Sequence, residues 1–106
     1  MRFLIIARDG TDCEALGRRL KHRAAHLENA SKLQQSGHLL LGGALVDEAG
    51  RMTGSAMVAE FPSRAELDAC LKADPYLTGG VWQTIEVLPY QISPFYHLAS
   101  SATAAE

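Results

Sequence analysis

The stretch Phe3-Leu4-Ile5-Ile6-Ala7-Arg8-Asp9 decides how this chain folds. Its apolar residues follow one another without alternation and end at a pair of charged residues. A short continuous run of this kind is typical of a strand that is buried on both faces or lies in the middle of its sheet. We therefore expect a central strand here, followed by a loop.

The segment after this strand has the pattern of a long helix. Residues 12–36 contain no proline, and small or apolar side chains recur at helical spacing at Leu16, Leu20, Ala24, Leu27 and Ser31. Thr11 or Asp12 is suited to cap the start, and Gly37 to stop the helix. A single helix over this range would be about 37 Å long, which is long for so small a domain, so we expect a break or a change of direction near Gly17.

Three further strands are indicated in the rest of the chain. The segments 39–46 and 53–61 are predicted strands joined by a hairpin turn, and 81–88 alternates apolar and polar residues as a last strand. Paired glycines inside a strand, here Gly42-Gly43, indicate a bulge or the close approach of another group.

A second helix is predicted between the third and fourth strands. Ser63 and Glu66 have the spacing of a capping box, which marks a helix start. The helix must end before Asp74-Pro75, because proline disfavours helical geometry in the residue before it. Asp74 is therefore expected in extended or turn geometry, next to the ring of Tyr76.

The resulting order, strand-helix-strand-strand-helix-strand, predicts an α+β, ferredoxin-like βαββαβ fold. Four antiparallel strands would carry two helices on one face and leave the other face bare. A bare apolar face favours a homodimer formed through it. With 106 residues the chain suffices for one domain, which we place at residues 1–90. Residues 91–106 form a C-terminal tail, with its aromatic part docked on the body or a partner and residues 100–106 frayed.

Composition and charge restrict the classes of binding partner that we expect for this protein. The formal net charge of −2 gives no reason to expect nucleic acid, and the cluster Arg18, Arg19, Lys21 and Arg23 fits a solvated helix face better than an anion site. No apolar run approaches the roughly 20 residues that span a bilayer, so no membrane association is expected. With Cys13 and Cys70 as its only cysteines, the chain fits a reducing cytoplasm.

The candidates for acid/base chemistry are His26 on the first helix and Asp74 at the end of the second helix. Histidine titrates near neutrality and can pass a proton in either direction. A carboxylate beside it would fix its tautomer and stabilise the imidazolium. The alternative is that His26 is only a helix histidine bonded to a neighbouring acid.

Three more residues are candidates for substrate binding. Arg23 shares a helix face with His26 and would hold a substrate carboxylate, or pair with Asp74 or Glu28 as a structural bridge. Tyr76 would donate a hydrogen bond to substrate or simply pack against the sheet. Arg8 would line the mouth of the same pocket, although an ion pair in the loop is the commoner arrangement.

Neither a metal nor a cofactor is expected. His22 and His26 lie one turn apart, but a metal site needs three or more converging ligands and no H-E-x-x-H motif is present. No G-x-G-x-x-G opens a helix after a strand, so the glycines do not form a dinucleotide fingerprint.

With these elements placed, the chain resembles the YciI-like family (YCII-related domain) of the dimeric α+β barrel superfamily, over residues 1–90. The resemblance rests on the order and spacing of several short stretches rather than on any one of them. These are residues 3–9, Arg19, 23–27, 37–43, 50–55, 73–76 and 85–90.

The resemblance implies a protomer that dimerises through its sheet into a barrel, with a pocket in which a histidine and an aspartate meet; these roles fall on His26 and Asp74. We therefore expect a small cofactor-free enzyme of the lyase or isomerase type, acting on a small cyclic or enolisable substrate. The alternatives are a non-catalytic dimer that binds a small ligand or another protein, and a cofactor-free oxygenase.

Overall fold

The computed structural model describes residues 1–96 and contains four strands and three helices. In chain order these are β1 (Arg2–Asp9), α1 (Ala15–Gln35), β2 (Leu39–Val46), β3 (Met52–Glu60), α2 (Arg64–Lys72), α3 (Pro75–Thr78) and β4 (Trp82–Pro89). The predicted ferredoxin-like fold is confirmed, and the short helix α3 is the one element that was not predicted.

The four strands form one antiparallel sheet in the order β2-β3-β1-β4. The first strand is therefore central, as its continuous apolar run predicts. Successive side chains of a strand point to opposite faces. Phe3, Ile5 and Ala7 are buried against the helical layer, where Leu67 and Tyr76 belong to the same apolar cluster.

The first helix runs without a break from Ala15, so the break expected near Gly17 is wrong. The preceding residues form a turn in which the Asp12 carbonyl oxygen accepts the backbone N–H of Ala15, and Gly17 lies in the first helical turn. At the other end Gly37 has a φ of +83° and stops the helix as predicted. The helix buries Ala15, Arg19 and His26, whereas Leu20 and Leu27 are exposed.

The ends of the second helix follow the prediction. The Ser63 side chain accepts the backbone N–H of Glu66 at 3.2 Å, which confirms Ser63 as the N-cap, while Glu66 Oε2 accepts the Ser63 hydroxyl and not its backbone N–H. The helix ends at Lys72, and Asp74 is extended with φ −69° and ψ 132°. Asp74 is also the N-cap of α3, in which Pro75 occupies the first turn. Proline is well suited to this position because its missing N–H would have no partner in the first turn.

The pairing of β2 with β3 is irregular at two places, and neither lies at the paired glycines. The register shifts between Leu39 and Leu41 and again between Leu45 and Val46, whereas Gly42 and Gly43 pair regularly with Met57 and Ala56. The bulge expected at the glycines is therefore wrong.

The face of the sheet away from the helices carries an apolar row across all four strands. Leu41, Val58, Leu4 and Leu88 are successive neighbours in this row. We call these residues the open-face row. Leu41 and Leu88 are exposed.

The C-terminal tail is described only in part. Phe95 and Tyr96 are exposed, so they do not dock on the body of the protomer. The expected fraying of residues 100–106 falls outside the described residues. None of the helices within residues 1–96 has the length and apolar character needed to cross a membrane.

Candidate active site

A cavity of about 500 Å³ opens between α1 and the strands β2 and β3. The helix supplies one wall, the two strands the other, and Tyr76 of α3 reaches into it. The lining residues are Arg19, Arg23, His26, Leu27, Ala30, Ser31, Gln34, Leu39, Leu40, Leu41, Gly42, Gly43, Ala44, Met52, Ser55, Met57 and Tyr76. Apolar side chains and glycines therefore dominate the strand wall, and most of the polar groups come from α1.

His26 and Asp74 meet at the edge of this cavity. His26 Nδ1 lies 2.8 Å from Asp74 Oδ1, and the two residues are only 8% and 5% exposed. The same Oδ1 accepts the backbone N–H of Tyr76 at 2.9 Å. Because an ionised carboxylate can only accept, Nδ1 is the nitrogen that donates. In the neutral imidazole, Nε2 then keeps its lone pair and is the nitrogen left for a substrate.

The imidazole ring is held by aromatic neighbours. It stacks on Tyr76, with the ring centroids 3.8 Å apart and the planes 12° from parallel, and Trp82 meets it edge-on at 5.7 Å. The Arg19 guanidinium lies 4.5 Å from the centroid of the Tyr76 ring. These contacts fix the direction of the His26 ring.

A buried polar network lies beside the pair. Arg19 Nη1 donates to both carboxylate oxygens of Asp9, at 3.0 and 3.1 Å. Arg19 Nη2 donates to Ser55 Oγ at 2.9 Å, and Trp82 Nε1 donates to the same oxygen at 3.2 Å. Arg19 Nε has no hydrogen-bond partner within residues 1–96. The carboxylate of Asp9 compensates the buried charge of Arg19.

Arg19 was expected on a solvated helix face and Ser55 was assigned no function, although both line the cavity. Arg19 is buried, so the expectation of a solvated position is wrong for this residue. Arg19 lies seven residues before His26, which is two helical turns and the same helix face. Ser55 and Met57 lie two residues apart on β3 and therefore share one face of the strand. A polar residue on the same face as an apolar one was the signal in the sequence that could have indicated Ser55.

The predicted substrate-binding residues Arg23 and Tyr76 both line the cavity. Arg23 is exposed and forms no ion pair within residues 1–96, since Asp74 pairs with His26, and Glu28 lies 3.6 Å from Lys32. The structural-bridge alternative for Arg23 is therefore not what the structure shows. Burial raises the pKa of the Tyr76 phenol above its ordinary value, so the phenol, which is protonated at neutral pH in any case, stays a donor to higher pH as well.

Arg8 does not line this cavity, so its predicted place at the mouth of the same pocket is wrong. Along β1, Phe3, Ile5, Ala7 and Asp9 are buried on the helical side, and the period of two places Arg8 on the opposite face. Asp9 pairs with Arg19 instead of forming a loop ion pair with Arg8.

Residues 1–96 contain no group of three or more histidine, cysteine, aspartate or glutamate side chains that could hold a metal ion. His22 packs against Gly79, where a Cβ atom would lie 2.6 Å from the imidazole ring. It therefore faces α3 and the loop after it.

Comparison with known proteins gives concordant matches. The family model of the YCII-related domain matches residues 1–91. Protein YciI of Escherichia coli O6:H1 is 37% identical over 97 residues, which cover 86% of this chain and 97% of that protein. Protein YciI of Shigella flexneri matches to the same extent.

Among solved structures, a similar one is 5-chloro-2-hydroxyhydroquinone dehydrochlorinase from Burkholderia phenoliruptrix AC1100, in complex with 2,5-dihydroxybenzoquinone. Its TM-score is 0.77 at 26% identity, over 88% of this chain and 96% of that chain. Rv0793 from Mycobacterium tuberculosis has a TM-score of 0.56 at 17% identity, over 89% of this chain and 99% of that chain, and shows the fold alone.

Proposed function

This chain belongs to the YCII-related domain family, and we propose that it is a small, cofactor-free enzyme in which His26 is the general acid/base and Asp74 orients it. The observation that carries the proposal is the 2.8 Å contact between His26 Nδ1 and Asp74 Oδ1 beside a cavity of ligand size. A buried carboxylate behind an imidazole that lines a cavity is the arrangement that general acid/base catalysis needs.

The reaction begins with proton transfer to His26. Nε2 takes a proton from a C–H or O–H group of the substrate, and the electron pair left behind moves into the substrate as an enolate or a new carbonyl. Asp74 stabilises the imidazolium that forms. Return of the proton to another atom of the substrate completes an isomerisation. Departure of an anionic leaving group, with the proton released to solvent, completes an elimination.

The shape and chemistry of the cavity favour a small ring with oxygen substituents. The aliphatic residues and glycines of β2 give an apolar wall for such a ring. Arg23 offers a cation without an ion-pair partner within residues 1–96, and Tyr76 offers a phenol O–H. We therefore infer an anionic or phenolic cyclic substrate.

The structurally similar dehydrochlorinase supports elimination from a hydroquinone as the first reaction to test. Loss of HCl from 5-chloro-2-hydroxyhydroquinone leaves a hydroxybenzoquinone. Two hydroxyl groups lose their protons and become carbonyls, the carbon that bears chlorine gains one proton, and chloride leaves with the electron pair of the C–Cl bond, so the net loss is HCl and no external oxidant is consumed. This reaction therefore needs the acid/base pair and an apolar pocket, which are the features present here.

The test is chloride release from 5-chloro-2-hydroxyhydroquinone, together with calorimetric binding of 2,5-dihydroxybenzoquinone. We expect turnover by the wild type and a fall of about 10² to 10⁴ in kcat for His26→Asn, with binding of the quinone changed by only a few fold. His22→Asn is the matched control, because His22 lies one turn earlier and outside the cavity lining. Binding without turnover by the wild type would contradict this reaction and favour the non-catalytic ligand-binding alternative.

We also propose that the protein forms a homodimer through the open-face row. Leu41 and Leu88 leave apolar surface exposed at both ends of this row, and closing two such faces on each other would bury it. Sedimentation equilibrium should give twice the protomer mass for the wild type. Leu88→Glu should shift it towards the monomer, whereas Leu20→Glu, the same change on the exposed side of α1, should not. A monomeric wild type at high concentration would overturn this proposal.

A further inference from the structure

The cavity extends well beyond the part of it that lies at His26. Its residues on α1 run from Arg19 to Gln34 at helical spacing, so one face of the helix lines it over this whole length. These two residues are fifteen positions apart, which corresponds to about 22 Å along the helix axis. His26 lies near the middle, and about 12 Å of the cavity remains between it and Gln34.

The opposite wall of this remaining part is the start of β2. A short turn at Gly37 joins α1 to β2, and the backbone N–H of His38 donates to the Leu33 carbonyl oxygen at 2.9 Å. Because the turn is short and both elements line the cavity, the start of β2 lies beside the end of α1. We call this part the outer groove and define it by Leu27, Ala30, Ser31, Gln34, Leu39 and Leu40.

The outer groove differs in chemistry from the part of the cavity around His26. The two arginines of the cavity lining, Arg19 and Arg23, both precede His26 on α1. All six residues of the outer groove are uncharged, and four of them are apolar. Leu27 is 46% exposed, so apolar surface is left open beside the candidate site. Covering this surface with an apolar group is favourable, whereas a charged group would find no ion-pair partner among these six residues.

The size and position of the outer groove indicate what fills it. The whole cavity has a volume of about 500 Å³, which is within the range of sites that hold a drug-sized molecule. A single six-membered ring beside His26 would leave the outer groove empty. The homodimer proposed above forms through the other face of the sheet, so a second copy is not what fills the groove. Because the groove is continuous with the site at His26, its occupant has one end beside His26, as a substituent of the substrate would.

On this basis we propose that the ring that reacts at His26 carries an extended, uncharged apolar substituent, which lies in the outer groove and ends near Gln34. The inference rests on the proposed function, because it takes the position of the reacting ring from it. It narrows the substrate class from a single oxygenated ring to a ring with an alkyl chain or an apolar group of similar length. Such a substituent contributes binding energy along the groove and also fixes which ring atom faces His26.

The test is calorimetric binding of 2,5-dihydroxybenzoquinone and of its derivatives with a methyl, butyl, hexyl or octyl chain on a ring carbon. In the wild type each buried methylene group should tighten binding by about twofold to fourfold. The gain should end once the alkyl chain is longer than the outer groove, because further methylene groups then remain in water. Equal affinity for the unsubstituted quinone and for all its alkyl derivatives would overturn the inference.

Two variants test whether the alkyl chain lies in the outer groove. Leu27→Gln should reduce the affinity ratio of the octyl derivative to the unsubstituted quinone by about fivefold or more, because the alkyl chain then desolvates an amide. Glutamine and leucine have similar helix propensities and Leu27 is exposed, so this variant should fold. Ala30→Trp should abolish the gain by filling the groove with an indole ring.

Leu20→Gln is the matched control. Leu20 is also an exposed leucine of α1, at 54%, but it lies outside the cavity lining. This variant should keep the affinity ratio of the wild type. The same ratio in Leu27→Gln, Ala30→Trp and Leu20→Gln as in the wild type would overturn the inference, because the alkyl chain would then bind elsewhere.

The outcomes separate this inference from the proposed function. A gain with alkyl-chain length that Leu27→Gln weakens, together with unchanged turnover of 5-chloro-2-hydroxyhydroquinone in His26→Asn, would support the inference and overturn the acid/base function. Loss of turnover in His26→Asn without any gain from an alkyl chain would overturn the inference and leave the function of His26 untouched. If the wild type bound no member of the series, the inference and the proposed substrate class would both be overturned.

Discussion

Replacing Asp74 by asparagine removes one charge from the candidate site and almost nothing else. The side chain keeps its shape, and Oδ1 can still accept the N–H groups of Tyr76 and His26, which lie 2.9 and 2.8 Å away. In the proposed reaction His26 becomes an imidazolium. Opposite charges about 4 Å apart attract by about 4 kcal/mol at the effective dielectric constant of about 20 that applies in proteins.

Each factor of ten in rate corresponds to about 1.4 kcal/mol of barrier, so loss of this attraction should slow turnover by about a thousandfold. Stability should fall by only about 1 kcal/mol, because a charge-assisted hydrogen bond becomes a neutral one. The assay is the kcat for chloride release from 5-chloro-2-hydroxyhydroquinone, with urea unfolding as the measure of stability.

Asp68→Asn is the control for this change, because Asp68 forms an exposed ion pair with Arg64 on α2, away from the cavity. It should retain wild-type turnover. If Asp74→Asn kept kcat within threefold of wild type while remaining folded, the Asp74 charge would have no part in the reaction and the electrostatic reasoning would be refuted.

Three further changes test other parts of the structure. Burial raises the pKa of Tyr76 above its ordinary value of 10.0, so the contribution of its protonated form to stability is complete below that pH and is lost as the pH rises through the folded-state pKa. Tyr76→Phe should therefore reduce the loss of unfolding free energy at alkaline pH, measured by urea unfolding. The same loss in the variant as in the wild type would argue against this effect. Leu67→Ala empties a fully buried position and should cost about 2 to 5 kcal/mol in the free energy of unfolding, whereas a loss below 1 kcal/mol on the order of surface changes would contradict the packing described. Arg23→Met should weaken quinone binding about fivefold at low salt and much less at high salt, because Arg23 is exposed; a salt-independent loss would indicate a packing function instead.

The order of helices and strands could be predicted from local patterns, because the sequence of each element has the apolar spacing or capping residues typical of it. The apolar run in β1 predicted a central strand, and the capping box at Ser63 predicted the start of α2. The pattern failed where tertiary contacts outweigh local preference. The leucines that mark α1 as a helix are largely exposed, and the face it buries carries Arg19 and His26. Helical periodicity shows that a helix forms but does not show which face is buried when polar groups have buried partners.

The candidate site was likewise predictable only in part from the sequence. His26 and Asp74 could be singled out because the family resemblance implies a histidine and an aspartate in one pocket, and because the Asp-Pro step fixes the backbone at Asp74. Arg8 was misplaced because neither the face of β1 that meets the helices nor the pairing of Asp9 with Arg19 is marked in the local sequence. Ser55 gave little signal, because its burial in the polar network depends on Arg19 and Trp82, which lie 36 and 27 residues away.

The sequence by itself determined the order along the chain of the four strands and of helices α1 and α2, the ends of α2, and the residue types available for proton transfer. These follow from hydrophobic periodicity, capping and proline geometry, which act over a few residues. Only the tertiary structure decided which groups meet: Asp74 with His26, Arg19 with Asp9, and both Arg19 and Trp82 with Ser55. Those contacts join distant parts of the chain, and their existence depends on the packing of α1 over the sheet, which local propensity does not encode.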